Sequence, residues 1–141
     1  MKKLTRLILL FFMALTLFSC THLSPKGSWV RIGSEPPLQL CDEIISRLTL
    51  QYPPAKTTIR LLKSGNTNFD QLIEKQARRA GYTISQTQTT VRISYVIDRL
   101  SDPPGTGYFN LKSSDGFGFS RMFRLPGYDL ADTYTQIEVK K

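Results

Sequence analysis

The clearest pattern in the chain is an alternation: Val91, Ile93, Tyr95 and Ile97 are apolar, with Arg92, Ser94, Val96 and Asp98 between them. A two-residue period puts every second side chain on one face, so this stretch predicts a half-buried strand. Similar runs surround it at residues 57–62, 82–87 and 108–113, along the Phe117, Phe119, Phe123, Leu125 face, and at residues 133–140. Turn chemistry separates the later runs, at Asp102-Pro103-Pro104-Gly105, Asp115-Gly116 and Pro126-Gly127. Arg121 falls in the apolar register of its run and does not fit it.

Two segments follow three-and-four spacing instead. Leu38, Cys41, Ile45, Leu48 and Tyr52 mark one helical face, with Asp42, Glu43 and Arg47 off it, and Pro53-Pro54 stops the helix. In the second, Asn68 can cap, Gln71 sits three residues on, and Phe69, Leu72, Ile73, Ala77 and Ala80 form the buried stripe. Gly81 ends it as a left-handed residue, and Tyr82 packs back over the last turn. Together these elements predict a two-layer α+β domain, two helices on one face of a largely antiparallel sheet of about five strands.

Ahead of this pattern lies a segment with a different logic. Lys2, Lys3 and Arg6 precede an apolar run over residues 7–18, broken only by Thr16 and followed at once by Ser19 and Cys20. A membrane-spanning helix takes roughly 20 apolar residues, so this run reads as the core of a signal peptide. Leu17-Phe18-Ser19-Cys20 resembles a lipobox, although Phe18 is bulkier than that pattern usually carries. The resemblance implies a signal peptide over residues 1–19 and a lipidated Cys20. Acyl chains contribute about 0.8 kcal/mol per buried methylene, so three of them make an effectively permanent anchor. Thr21, rather than an aspartate, follows the cysteine, which implies the periplasmic leaflet of the outer membrane. A plain secretory signal with a chance cysteine, or a signal anchor, is the alternative. Residues 20–37, holding Pro25, Gly27, Gly33, Pro36 and Pro37, read as the lipidated N-terminus and a flexible tether, and 38–141 as the periplasmic domain. Trp29 stands out in the tether and could meet the membrane interface, the domain or a partner.

Composition then narrows the chemistry. The whole chain has 19 Lys and Arg against 11 Asp and Glu; setting aside Lys2, Lys3 and Arg6 leaves 16 against 11, a formal +5. That excess suits a solvated surface, an anionic membrane or an acidic partner better than nucleic acid. With Cys20 lipidated, Cys41 is the one thiol left, so neither an internal disulfide nor a cysteine metal site can form. Cys41 lies on the apolar helical face, where it serves as a small core residue or, if exposed, as a bridge to a partner chain. The single histidine, His22, is in the tether, away from any rigid pocket. Asp42 and Glu43 are adjacent on a helix and diverge, and Asp129 and Asp132 sit in a turn, so none makes an acid and base pair. Gly105-Thr106-Gly107 and Gly116-Phe117-Gly118 are flanked by strands on both sides, whereas a phosphate cradle needs a helix N-terminus. Arg78-Arg79, with Arg60 and Lys63, reads as solvated charge.

The motifs taken in order resemble one family. Residues Leu50-Gln51-Tyr52-Pro53-Pro54-Ala55-Lys56-Thr57, then Phe69 to Leu72, Arg79-Ala80-Gly81-Tyr82, Ser94-Tyr95-Val96-Ile97-Asp98 and Ser120-Arg121-Met122-Phe123, resemble the TrbH family of conjugal-transfer lipoproteins. The resemblance spans residues 50 to 125 and implies a structural component of a conjugative type IV secretion apparatus. Its partners would be outer-membrane and periplasmic subunits of the secretion channel, and the membrane through Cys20. The resemblance supplies no catalytic residues and would place Arg121 at a partner interface; Trp29 and Cys41, singled out from the residues themselves, are the other partner-binding candidates, and no cofactor, metal, direct nucleic acid or small-molecule substrate is expected. The other reading keeps the anchor and makes the domain an auxiliary subunit of an envelope lipid or lipopolysaccharide export complex. An enzyme ranks third, for want of a nucleophile with its base or a metal with its ligands.

Overall fold

The computed structural model describes residues 27–33 and 37–139. The expected signal peptide 1–19, the lipidation site Cys20 and His22 lie outside the described residues. In chain order the elements are β1 (Trp29–Val30), α1 (Leu38–Gln51), a short 3₁₀ turn (Pro54–Lys56), β2 (Thr58–Leu61), α2 (Thr67–Arg79), β3 (Thr83–Ile84), β4 (Val91–Arg99), β5 (Thr106–Ser113), β6 (Gly118–Arg124) and β7 (Asp129–Ile137). All the strands join one sheet, in the order β3-β2-β4-β5-β6-β7, with β1 also on β4.

The α+β class stands, but the sheet is larger and less antiparallel than the pattern implied, with seven strands where about five were expected. β4 through β7 form the antiparallel meander, whereas β2 pairs in parallel with both β3 and β4. The reason is connectivity: a helix between two strands returns the chain in its starting direction, and α2 does this between β2 and β3. β1 has a different cause. β2 covers only Val91 to Ile93 of the nine-residue β4, so the far half of that edge would keep its backbone groups unpaired. Trp29 and Val30 pair there with Val96 and Ile97, the Arg31 N–H donates to the Ile97 carbonyl at 2.8 Å, and the Tyr95 N–H donates to Ser28 Oγ at 3.1 Å. Part of the segment expected as tether is therefore strand.

Both helices lie on one face. Phe69 of α2 packs on Tyr95, with ring centroids 5.6 Å apart, and Tyr52 at the end of α1 meets Phe117 edge-on at 5.9 Å. The core between the layers is filled by Leu40, Ile44, Leu48, Ile73, Ile93, Phe109, Phe119 and Phe123, all fully buried or nearly so. Leu38, expected on the buried face of α1, opens the helix and is half exposed; the stripe that faces the sheet is Leu40, Cys41, Ile44, Ile45 and Leu48. At Gly107 on β5, the Phe123 ring from β6 lies across the backbone where a side chain would stand, and a Cβ there would fall 2.3 Å from the ring.

The second helix starts two residues earlier than expected. Asn66, not Asn68, is the cap, its Oδ1 accepting from the Phe69 N–H at 3.1 Å. Asp70 fixes the preceding turn by accepting from the Ser64 N–H at 3.1 Å and hydroxyl at 2.6 Å, which sets Asn66 in the capping position. At the other end Gly81 is left-handed (φ +93°), with the Tyr82 N–H donating to the Ala77 carbonyl and the Gly81 N–H to Arg78, the paired bonds of a Schellman stop. Asn66→Ala is expected to cost about 1 kcal/mol in urea unfolding. Asn68→Ala should cost clearly less, and equal losses would move the cap back to Asn68.

Candidate functional site

Three groups of polar side chains stand out, and each is built by the packing of the helices on the sheet. At the corner of α1, β6 and β7, Arg121 points from the apolar register of β6 toward α1. Its Nη1 meets Glu43 Oε1 at 2.7 Å and its Nε donates to the Ala131 carbonyl at 2.6 Å. Arg47, one helical turn beyond Glu43, donates to the same oxygen at 2.9 Å, so one carboxylate serves two guanidinium groups. The Arg47 guanidinium also lies 4.6 Å from the Phe119 ring centre and 4.5 Å from that of Tyr134. All three charged side chains are less than one-fifth exposed, whereas Tyr134 is half exposed at the outer side of the cluster. The register of β7 against β6 shifts between Arg121 and Phe123, which brings Ala131 to the arginine. The misfit of Arg121 in its strand is thus met inside the domain by α1.

Under α2, the Tyr95 hydroxyl donates to Asp70 Oδ1 at 2.6 Å, in the carboxylate cluster that holds Ser64. Burial, then the Asp70 carboxylate, push the Tyr95 phenol well above its ordinary range. At the end of α1, the Tyr52 hydroxyl bonds Asp115 Oδ1 at 2.6 Å and Ser113 Oγ at 2.8 Å, and Ser113 is itself in close contact with Asp115. The Tyr82 hydroxyl donates to the Tyr52 carbonyl at 2.7 Å, and burial pushes its phenol up to about 12. These tyrosines stay protonated at neutral pH and pin the helix ends to the sheet. Asp115 is shifted the other way: burial works against its charge, but hydrogen bonds from Ser113, Tyr52 and the Phe117 N–H outweigh it and hold the carboxyl below its ordinary value.

The sign of that shift makes a pH prediction. A depressed carboxylate contributes stability that is present above the unfolded value and is lost as pH falls through the folded one. Tyr52→Phe removes one of the donors and is expected to cost about 1 kcal/mol at pH 7. The cost should shrink as pH falls below about 4, where the aspartate of the unfolded chain protonates, and on down through the depressed value of the folded protein. Chemical denaturation at pH 7 and pH 3 checks this, and a cost independent of pH would show that the hydroxyl acts only through Ser113.

Cys41 is fully buried against the core, and burial, with the nearby Asp42 charge, pushes its thiol up to about 12. In the folded domain the thiol is a buried core group, the first of the two places the sequence offered it. Trp29 is placed differently. It lies on the sheet face away from the helices, half exposed, with the Arg31 guanidinium 5.1 Å from its ring centre. The strand register puts Arg60, Arg92, Asp98, Tyr108, Lys112, Met122 and Arg124 on this same open face. A hollow of about 200 Å³ beside Tyr108, Ser120, Met122 and Thr135 is shallow and open. Of the sequence candidates, the structure brings none of Trp29, Cys41 and Arg121 together: one is on the open face, one in the core, one against α1. Glu43 and Arg47 were missed as site residues because they look solvated on a helix; their contacts lie about 78 residues away in β6.

Among the described residues no group of three or more His, Cys, Asp or Glu could hold a metal, and no helix is long and apolar enough to cross a membrane. The polar clusters lock helices to sheet, and the exposed chemistry is an aromatic and basic surface. This arrangement defines a small α+β domain. The family model of the conjugal transfer protein TrbH matches residues 24–136, so the chain belongs to the TrbH family and is a conjugal-transfer component. Neither the curated proteins nor the solved structures compared with the chain contain a match to it.

Proposed function

We propose that the protein is an outer-membrane-anchored lipoprotein that acts as a structural component of a conjugative type IV secretion apparatus, without enzymatic activity of its own. The family match over residues 24–136 carries the reading. The lipobox-like Leu17-Phe18-Ser19-Cys20 supports the anchor, with the signal peptide 1–19 removed and Cys20 lipidated. The core is filled with aromatic and branched side chains, as suits a rigid assembly part better than a lipid carrier for an export complex. Partners are the outer-membrane and periplasmic subunits of the secretion channel, met through surfaces of the domain that the membrane leaves free. The half-exposed Tyr134, set on the Arg47 and Phe119 cluster at the β7 edge, is a suitable aromatic anchor for one of them.

The test is purification of the tagged, full-length lipoprotein from its native envelope in mild detergent, with mass spectrometry of what accompanies it. Recovery of secretion-channel subunits, and their loss together with mating efficiency in Cys20→Ser, is the expected result. Recovery of a lipid export complex in their place would overturn the reading, as would normal transfer by a Cys20→Ser protein that fractionates as soluble.

A further inference from the structure

The open face of the sheet carries Arg31, Arg60, Arg92, Lys112 and Arg124, with Asp98 and, at the rim opposite Arg124, Asp129 as acidic neighbours. Arg60 and Arg92 stand side by side on adjacent strands, which gathers positive charge at one place on the face. Arg60 Nε is buried without a hydrogen-bond partner. Set among these charges are Trp29 and Met122, 50% and 41% exposed, and the partly exposed Tyr108. Basic side chains around an amphipathic ring match the chemistry of a phospholipid headgroup layer, where tryptophan settles at the interface and each nearby cation adds attraction.

Chain length points to the same occupant. Only seven residues lie between Cys20 and Ser28, where the chain enters the sheet, and the eight steps from one to the other, at no more than about 3.5 Å each, reach under roughly 30 Å. That is about the width of a small domain, so an anchored chain cannot stand far from its bilayer. The element nearest the anchor is β1, which carries Trp29 onto the basic face. We infer that the open sheet face is a membrane-apposed surface, resting on anionic phospholipid headgroups with Trp29 at the interface. This inference takes the lipid anchor of the preceding section for its reach argument but makes its own demand on the face. The domain then lies flat, with α1, α2 and the β7 edge turned away from the bilayer for protein contacts.

Trp29 is the single tryptophan of the chain, so intrinsic fluorescence reports this surface alone. Full-length protein purified from the envelope is mixed with vesicles of phosphatidylcholine, or of phosphatidylcholine and phosphatidylglycerol at 7:3, each with and without brominated acyl chains, and floated. Expected are flotation on both vesicles and blue-shifted Trp29 emission quenched by brominated lipid only where phosphatidylglycerol is present. Half-molar salt, which shortens screening to a few ångströms, should reverse the shift without releasing the protein. Changing Arg60, Lys112 and Arg124 together to Gln should weaken the face's attraction about a hundredfold, and reversing all three to Glu should weaken it by more than about a thousandfold and abolish quenching; an unaltered thermal transition in both variants controls for folding. Flotation on both vesicles with Trp29 emission unmoved overturns the inference and leaves the anchor standing, and cross-linking of Trp29 to an acidic envelope protein would then assign the face to that partner. Flotation on phosphatidylglycerol vesicles alone, lost on charge reversal, supports the face and overturns the anchor. Flotation on neither overturns both.

Discussion

Glu43→Ala should lower the free energy of unfolding by about 3 kcal/mol, because it strips the one carboxylate from two partly buried guanidinium groups. For a domain of this size that is a fall in Tm of roughly 10 °C. The geometry sets the order of effects: Glu43 Oε1 receives Arg121 at 2.7 Å and Arg47 at 2.9 Å, whereas either arginine removed alone leaves the other to satisfy the carboxylate. Arg121→Met should therefore cost less than Glu43→Ala. Adding Arg121→Met to Glu43→Ala should recover part of the loss, since the methionine fills the apolar register that Phe119 and Phe123 share and takes away an unpaired charge. Urea unfolding of the four proteins in this cycle measures the coupling. Purely additive losses, or a Glu43→Ala cost under about 0.5 kcal/mol, would mean that the cluster behaves as solvated surface charge.

Gly107→Ala is expected to cost a similar amount, about 3 kcal/mol, at the upper end of overpacking effects. One methyl group is enough, because it would fall 2.3 Å and 2.4 Å from two atoms of the Phe123 ring and 2.8 Å from the Asp98 carbonyl oxygen. The carbonyl is backbone of the central strand β4 and cannot yield. The ring is fully buried, so swinging it aside opens a void in the core. Gly107→Ala combined with Phe123→Leu should be less destabilised than the sum of the two single changes. Gly116→Ala meets no atom within 4 Å and pays only for its left-handed backbone, which makes it the comparison. If Gly107→Ala melts within a degree or two of the parent, the ring is not what the glycine serves.

What the sequence disclosed followed the range of the interactions. The Gly81 stop, the Pro53-Pro54 stop and the Asp115-Gly116 turn are settled within a few residues, and each is where local pattern put it. The cap at Asn66 was harder, for two asparagines within three residues compete and Asp70 decides between them through a turn that leaves no periodic trace. β1 is only two residues long and exists because β2 leaves half of the β4 edge vacant, a fact about the assembled sheet. Likewise, alternation showed that β4, β5 and β6 each have two faces, but only the register reveals that Arg60, Lys112 and Arg124 share one of them with Trp29. Arg121 was visible as a misfit, while its partner on α1, 78 positions away, was not.

The docking of β1 also has a mechanical side. Any tension on the N-terminal segment enters the domain at Ser28 and passes to the central strand β4 through Tyr95 and Ile97. β1 runs parallel to β4, so a pull along the strand axis shears its few hydrogen bonds together instead of opening them one at a time. If these give way, the core loses the packing of Val30 and Ile32 while its helix-covered centre stays in place. The strand is thus the first joint to be loaded between the N-terminal segment and the packed body of the domain.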